Sequence, residues 1–268
     1  MTIIFFHGLG SSKKLLNYIY HNEKYNLNNF VKLLKKIDNV FIPEIPYTNV
    51  YYYGENKIMK PMFKQIDELD YDDLSLNRYI TKMHNTMDKK LYPPPYIVIG
   101  HSHGIYYACE FVKQNKKETK CIISLDGSWI SNKLNKQRLA IWKTKNKIIP
   151  KINNQKTLDD IINKIKNEKN NSKYINMIFD YVRGTHTKFC IKQNYEKLNI
   201  PFITFRDFNS DTQNDAINKK YNDDVLQENE ILSKYLNHVI YVLLDATHVI
   251  WLNDNYKNTI IQTLKLLI

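Results

Sequence analysis

Short apolar segments alternate with amphipathic segments along most of the chain. The apolar segments are rich in β-branched and aromatic residues and lack polar alternation, which is typical of strands buried on both faces. Such strands form parallel sheets covered by helices. The pattern therefore predicts an α/β fold with a mostly parallel central sheet of about six strands, flanked by helices. The predicted strands cover residues 2–6, 39–42, 96–99, 121–125, 202–205 and 239–244.

The amphipathic segments between these strands predict the flanking helices. Their apolar positions recur at helical spacing, as expected for helices that pack one face on a sheet. The tyrosine-rich residues 47–73 do not follow this spacing and are expected to form a long loop or a small excursion. The predicted helices lie within residues 15–36, 74–88, 105–116, 222–236 and 255–267.

One long segment, residues 128–199, departs from the alternation. It is rich in lysine and asparagine, its pattern is helical, and it contains no convincing strand. We expect a helical insertion above the sheet, which would act as a cap or lid. The sequence thus predicts a core formed by residues 1–127 and 200–268 and a helical cap formed by residues 128–199.

The sequence Gly-His-Ser-His-Gly at residues 100–104 lies between a predicted strand and a predicted helix. In that context the G-x-S-x-G pattern forms a sharp turn that exposes its serine at the carboxyl end of the strand. The N-terminus of the following helix favours negative charge that develops there. Ser102 is therefore the candidate nucleophile. The alternative is a glycine-flanked turn whose serine only caps the helix.

A serine hydroxyl needs a base within hydrogen-bonding distance before it attacks at neutral pH. Among the eight histidines, His248 is in the best position, because it follows the last predicted strand and precedes the final helix. Parallel strands end at one edge of a sheet, so the loop of His248 and the turn of Ser102 are expected to meet there. His248 is the candidate general base.

The base in turn needs a carboxylate that orients its ring. Three aspartates follow the carboxyl ends of predicted strands. Asp211 is preferred, because a turn of a few residues lets its side chain reach back towards His248. Asp207 lies closer to its strand, where it would organise the turn or pair with Arg206. Asp126, after the preceding strand, is the third candidate, and the sequence leaves the three open.

The negative oxygen of a tetrahedral intermediate needs N–H donors. The sequence His-Gly-Leu-Gly at residues 7–10 directly follows the first predicted strand. Its glycines allow a tight turn that aims a backbone N–H at the nucleophile. The N–H of Leu9 is the first candidate donor, and the N–H of His103 is the second. The alternative is a plain glycine turn.

The other histidines near these motifs are interpreted as structural. His101 and His103 flank the nucleophile, but neighbours on a tight turn point apart, so a structural or pocket-lining role is preferred to a metal site. His7 is expected to hydrogen-bond the backbone of its own turn. His186, within the predicted cap, is expected at the surface, and the alternative is that it faces the pocket. No metal site is predicted.

At these residues the sequence resembles the α/β-hydrolase family. The motifs HGLG, GHSHG and ATHVIW occur in the family's order, and the resemblance covers nearly the whole chain. It implies a Ser-His-Asp acyl-transfer mechanism with Ser102, Asp211 and His248, and an oxyanion hole formed by Leu9 and His103. It also implies that the cap shapes the substrate pocket. The sequence departs from the family before the acid, where the family often has a glycine.

The charge of the chain is strongly positive, with 39 lysines and arginines against 27 acidic residues and a net charge of +12. Such a charge is compatible with a nucleic-acid partner. The lysines are scattered, however, and no platform of arginine and aromatic residues accompanies them. Lysine, asparagine, isoleucine and tyrosine all have AT-rich codons, so genome composition alone accounts for the excess. We expect a solvated lysine surface and no nucleic-acid partner.

Cysteine usage and hydropathy bear on the compartment. The three cysteines, Cys109, Cys121 and Cys190, lie in apolar stretches or predicted elements and are expected to be buried free thiols. No apolar run is long enough for a transmembrane helix, and the apolar N-terminal stretch is too short for a signal peptide. These features predict a cytoplasmic protein without integral membrane association. They leave the oligomeric state open.

Together, these features predict a serine hydrolase that cleaves a carboxylic ester, or a related acyl bond, of a small molecule through an acyl-enzyme. Neither a metal ion nor an organic cofactor is required. The alternatives are a lipase or thioesterase that uses the same site, and a non-catalytic ligand-binding protein with the same fold.

Overall fold

A computed structural model describes most of the predicted core and the larger helices of the predicted cap. The described residues are 1–8, 17–20, 23–45, 51–53, 59–61, 66–67, 69–127, 136, 139–140, 152–168, 171–193, 198–207, 223, 226–227, 230, 239–244, 250 and 253–268.

Ten strands occur among the described residues. Six of them form one sheet, and the other four form two short hairpins. In chain order the strands are β1 (Thr2–Phe6), β2 (Asn17–Tyr20), β3 (Glu23–Asn26), β4 (Asn39–Phe41), β5 (Tyr51–Tyr53), β6 (Met59–Pro61), β7 (Tyr96–His101), β8 (Thr119–Leu125), β9 (Phe202–Asp207) and β10 (Val239–Leu244).

The longer helices of the described residues follow the strands in the alternation that the sequence predicts. In chain order they are α1 (Leu27–Lys35), α2 (Leu76–Thr86), α3 (Gly104–Gln114), α4 (Gln155–Asn167), α5 (Asn171–Gln193) and α6 (Asp254–Leu267).

The six-stranded sheet has the order β10-β9-β8-β7-β1-β4, and every neighbouring pair is parallel. This confirms the predicted α/β class and the parallel sheet of six strands flanked by helices. Because all six strands run the same way, their carboxyl ends lie at one edge of the sheet. The turn that follows β7 and the loops that follow β1, β8, β9 and β10 therefore leave the sheet at the same edge.

Apolar side chains of the sheet belong to two separate cores, one on each face. Within β1, Ile3 and Phe5 pack on one face, and Ile4 and Phe6 pack on the other. The first core includes apolar residues of α1 and α6. The second includes those of α2 and α3, together with apolar residues of α4 and α5. The helices in the predicted cap segment thus share one core with the helices that cover the sheet.

Two segments differ in detail from the sequence-based expectation. Helix α1 begins at Leu27, and the residues before it form an antiparallel hairpin of β2 and β3. Tyr18, Ile19 and Tyr20 are aromatic or β-branched, and such residues favour strands. The tyrosine-rich excursion contains a second hairpin, formed by β5 and β6. No helix of the described residues is both long and apolar enough to cross a membrane.

Candidate active site

The chain turns sharply between β7 and α3 at Ser102. Strand β7 ends at His101, Ser102 has a left-handed φ of 52°, and α3 begins at Gly104. Ser102 is partly exposed, whereas the histidines on either side of it are buried. Left-handed backbone costs a non-glycine residue roughly 1–2 kcal/mol. The turn that G-x-S-x-G predicts is therefore present, with the serine at its strained apex.

The glycines of the motif allow this turn because backbone approaches them closely. A Cβ atom on Gly100 would lie 2.6 Å from Cα of Ile105. A Cβ atom on Gly104 would clash with the backbone oxygen of Phe6. Any larger residue at these two positions would push α3 away from the ends of β7 and β1. The spacing of the motif thus follows from packing between the turn and the sheet.

Backbone hydrogen bonds hold the turn to the neighbouring strand and to the helix. The N–H of Ser102 donates to the backbone oxygen of Leu125 at the end of β8, at 3.1 Å. The N–H of Ile105 donates to the backbone oxygen of Ser102 at 3.2 Å. The N–H of Ser102 is used in this bond to Leu125. The candidate oxyanion donor of the turn is therefore the next N–H along the chain, that of His103.

The loop that follows β1 lies against this turn. A Cβ atom on Gly8 would lie 3.0 Å from Cβ of Ser102 and 2.9 Å from Nδ1 of His101. His7 is buried, and its Nδ1 donates to the backbone oxygen of Gly8 at 3.2 Å. The expected structural role of His7 is therefore confirmed. Burial lowers the pKa of His7 to about 4, so the ring is neutral at pH 7.

His103 meets a residue that was expected at the surface. Nε2 of His103 lies 3.0 Å from Nδ1 of His186, which belongs to α5. The preferred surface position of His186 is wrong, because this residue is 1% exposed. His186 is buried because it lies on the buried face of α5. Val182 and Cys190, four residues before and after it on the same face, are also buried.

The third acid candidate, Asp126, lies next to the turn at the end of β8. Its φ of 47° is left-handed, and its N–H donates to the backbone oxygen of Phe205 at 2.8 Å. Its carboxylate forms a buried ion pair with Arg206. Asp207 is the last residue of β9, and Asp211 lies outside the described residues.

Two more residues of the predicted site, Leu9 and His248, also lie outside the described residues. The strands that lead to them are described. β1 ends at Phe6 beside β7, and β10 ends at Leu244, separated from β7 by β9 and β8. The edge at which these strands end is the one that carries Ser102. The roles of Leu9, Asp211 and His248 stay predictions.

A cavity of about 250 Å³ lies between α5 and the residues that lead into α2. Tyr71, Arg78, Tyr181 and Phe189 are among the residues that line it, and His186 forms part of its wall. His186 thus separates this cavity from His103 and the turn. Within the described residues, no group of three or more histidine, cysteine or acidic side chains is arranged to hold a metal ion.

Solved structures of esterases and lipases resemble this chain over nearly its whole length. A lipase-esterase related protein from Clostridium acetobutylicum has a TM-score of 0.52 at 15% identity, over 100% of this chain and 94% of that one. An α/β-hydrolase enzyme from the metagenome of lagoon sediments of Mar Chica, Morocco, has a TM-score of 0.53 at 12% identity, over 98% and 88% of the two chains. The chain has the α/β-hydrolase fold.

A monoacylglycerol lipase from Paleococcus ferrophilus shares the α/β-hydrolase fold with this chain, with a TM-score of 0.50 at 11% identity over 100% and 95% of the two chains. No family model and no curated protein matches the chain. At such identities the likeness establishes the α/β-hydrolase fold, and any statement about chemistry must come from the site. The resemblance that the sequence motifs indicated is thus confirmed for the fold.

Two contacts in the site of this α/β-hydrolase fold were not predicted from the sequence. One is the contact of His103 with His186, and the other is the ion pair of Asp126 with Arg206, which had been considered a partner of Asp207. The sequence does contain a signal for the burial of His186, namely its helical spacing from the apolar residues Val182 and Cys190, but none for its partner. For the ion pair there was none, because it depends on the register of two neighbouring strands.

Proposed function

We propose that this protein is a serine hydrolase that cleaves a carboxylic ester, or a related acyl bond, through an acyl-enzyme. The observation that carries the proposal is the position of Ser102, partly exposed and in left-handed backbone between the end of β7 and the start of α3. A serine that only caps a helix does not need strained backbone, whereas strain that persists at one residue is common at functional sites.

In the proposed reaction, Oγ of Ser102 attacks the carbonyl carbon of the ester while His248 accepts the hydroxyl proton. The negative oxygen that forms is stabilised by the N–H groups of Leu9 and His103. When the intermediate collapses, the alcohol leaves with the proton from His248, and the acyl group stays on Ser102. Water then gives a proton to His248 and attacks the acyl carbonyl. When this second intermediate collapses, His248 returns the proton to Oγ of Ser102 and the acid is released.

Two observations support His103 as one of the two donors. The N–H of Ser102 is already bonded to Leu125, so it does not compete for the oxyanion. His103 is also the residue that precedes α3, a helix of 11 residues, and the N-terminal end of a helix favours negative charge. Both the N–H and the helix therefore stabilise charge at the same point.

We propose Asp211 as the acid that orients His248, followed by Asp207 and then Asp126. The ion pair of Asp126 with Arg206 supports this order. A carboxylate that is already paired with a guanidinium stabilises a neighbouring imidazolium less than an unpaired one does.

The cap is proposed to be residues 128–199, with a small-molecule ester as the substrate. Helix α5 lies in this segment and contacts the residue after the nucleophile through His186, which supports a cap that limits access to Ser102. We also propose a cytoplasmic location. The three cysteines are buried free thiols, as expected of a protein in a reducing compartment.

A fluorophosphonate probe and a set of p-nitrophenyl esters of graded acyl length test this proposal together. We expect the probe to label the wild-type protein and not Ser102→Ala, and we expect hydrolysis to be lost in the same variant. Ser75→Ala is the matched control, because Ser75 is also a serine next to a helix but has an ordinary φ of −84°. A wild-type protein that neither reacts with the probe nor hydrolyses any ester would instead favour a ligand-binding protein.

A further inference from the structure

A chain of hydrogen bonds joins the turn of Ser102 to helix α5 and beyond. Nε2 of His103 lies 3.0 Å from Nδ1 of His186. On the other side of the His186 ring, Nε2 lies 3.1 Å from the backbone oxygen of Leu74. These groups are far apart in sequence. These two hydrogen bonds therefore hold α5, and the residues that lead into α2, against the start of α3.

The backbone carbonyl of Leu74, at the end of this series of hydrogen bonds, determines which ring nitrogens carry a proton. A carbonyl oxygen only accepts, so Nε2 of His186 carries a hydrogen and donates it to Leu74. In a neutral ring Nδ1 is then an acceptor, and Nε2 of His103 donates to it. Burial keeps the ring neutral, because it lowers the pKa of His186 to about 4 despite the opposing effect of the bond to Leu74.

Aromatic contacts hold the two imidazole rings from the sides. The rings of His103 and His186 meet edge to edge and are nearly coplanar, with centroids 5.2 Å apart and planes 16° apart. Tyr107 meets both rings edge-on, with centroids at 6.2 Å from His103 and 5.4 Å from His186. Tyr106 meets His103 edge-on at 4.9 Å. The aromatic contacts restrict the position of the His103 ring. Its hydrogen bond to His186 then sets the orientation of the ring, with Nε2 towards α5.

We propose that His186 is a positioning residue that, through the ring of His103, holds the main-chain N–H after Ser102 in the direction of the oxyanion. This inference rests on the proposed function, in which that N–H stabilises the tetrahedral intermediate. It also ties the placement of a helix in the predicted cap to the geometry of the oxyanion hole. Loss of one oxyanion donor lowers kcat by about 10²–10³-fold, so a donor that is only loosened should cost on the order of tenfold.

Two substitutions of His186 separate the two hydrogen bonds of its ring. In His186→Asn, the amide oxygen lies near the former Nδ1 and accepts from His103, but the side chain is too short for Leu74. In His186→Gln, the amide nitrogen lies near the former Nε2 and donates to Leu74, but His103 loses its acceptor. The pair therefore keeps one bond in each variant.

For the best p-nitrophenyl ester, we expect kcat to fall about tenfold in His186→Gln and to stay within about twofold of wild type in His186→Asn. KM should change little in either variant, because an oxyanion donor acts in the transition state rather than on the bound ester. The fluorophosphonate probe measures the fraction of active protein, so that kcat refers to folded enzyme in every case.

Phe189→Leu is the matched control for loss of packing. Phe189 lies about one turn further along α5 and lines the same cavity as His186. We expect this variant to lose stability towards urea without loss of kcat. A merely structural role for His186 would instead give its two variants the same behaviour as Phe189→Leu.

The outcomes separate this inference from the function on which it rests. If the wild-type protein reacts with the probe and kcat is the same in wild type, His186→Asn and His186→Gln, only the inference is overturned. Equal loss of kcat in the two variants also overturns it, because the bond to His103 would then not be the one that matters. If the wild-type protein neither reacts nor hydrolyses any ester, the proposed function is overturned, and this inference with it.

Discussion

Asp126 and Arg206 form a buried ion pair that joins the carboxyl ends of β8 and β9 beside the turn of Ser102. Arg206 donates to the carboxylate of Asp126 and, at 3.3 Å, to its backbone oxygen. The side chains of the two residues are 2% and 6% exposed. The next residue, Gly127, lies so close to the turn that a Cβ atom there would be 2.7 Å from the backbone oxygen of Ser102. The ion pair therefore stabilises the backbone on which the turn rests.

Removal of one partner of this pair should be strongly destabilising. We expect Arg206→Met to lower the free energy of unfolding by about 3–5 kcal/mol, because it leaves the carboxylate of Asp126 buried without its cation. The double variant Asp126→Asn/Arg206→Met should recover part of the loss. Urea denaturation at pH 7 measures both.

Arg78→Met is the control for the ion-pair prediction, since the pair of Arg78 with Asp72 has both side chains more than half exposed. Exposed pairs contribute about 0–1 kcal/mol. A similar loss in Arg78→Met and Arg206→Met would contradict the importance of burial.

The three acid candidates make different predictions when each is changed to asparagine. We expect Asp211→Asn to lower kcat by about 10⁴-fold, because the imidazole of His248 would lose the group that holds its tautomer. Asp207→Asn and Asp126→Asn should lower kcat far less, and Asp126→Asn should act on stability through Arg206. Measurement of kcat together with urea denaturation for the three variants separates these effects. A larger loss of kcat in Asp207→Asn or Asp126→Asn would transfer the role to that residue.

The protein should lose stability in mild acid because two of its histidines are buried and neutral. Burial lowers the pKa of His7 and of His186 from 6.5 to about 4. Between these values the unfolded chain binds protons that the folded protein does not. The free energy of unfolding is therefore highest above pH 6.5 and falls as the pH drops towards 4. Each pH unit corresponds to about 1.4 kcal/mol per group, so each histidine contributes about 3 kcal/mol to the loss.

Urea denaturation at several pH values between 7 and 4 tests this prediction for His186. The carboxylates contribute equally to wild type and variant, so the comparison isolates one histidine. We expect the free energy of unfolding of His186→Asn to depend less steeply on pH than that of the wild type. Parallel curves would show that His186 takes up its proton in the folded state.

The left-handed backbone of Ser102 predicts an unusual order of stability for two inactive variants. Ser102→Gly should be more stable than Ser102→Ala by about 1 kcal/mol, because glycine adopts a φ of 52° without a steric cost. At Gln262, an exposed residue in the interior of α6, glycine should instead be about 1 kcal/mol less stable than alanine. Urea midpoints for the four variants check both orders. The same order at both positions would mean that Ser102 is not strained.

Strands and the nucleophile turn are the parts of the structure that the sequence predicted well. Strands buried on both faces leave a continuous apolar pattern, and the glycines of G-x-S-x-G are needed wherever backbone packs as closely as Ile105 does on Gly100. Helix bounds were predicted less well before Leu27. There aromatic and β-branched residues favour strands locally, and an amphipathic pattern does not exclude a hairpin.

The sequence by itself determined the parallel sheet, the strained turn at Ser102 and the edge of the sheet at which this turn lies, because these depend on local patterns and on the common direction of parallel strands. Only the tertiary structure decided that His103 is bonded to His186 and that Arg206 is paired with Asp126. Both contacts join residues about eighty positions apart. Such contacts depend on how a helix and two strands are packed in three dimensions, and the local sequence around each residue contains no signal for its distant partner.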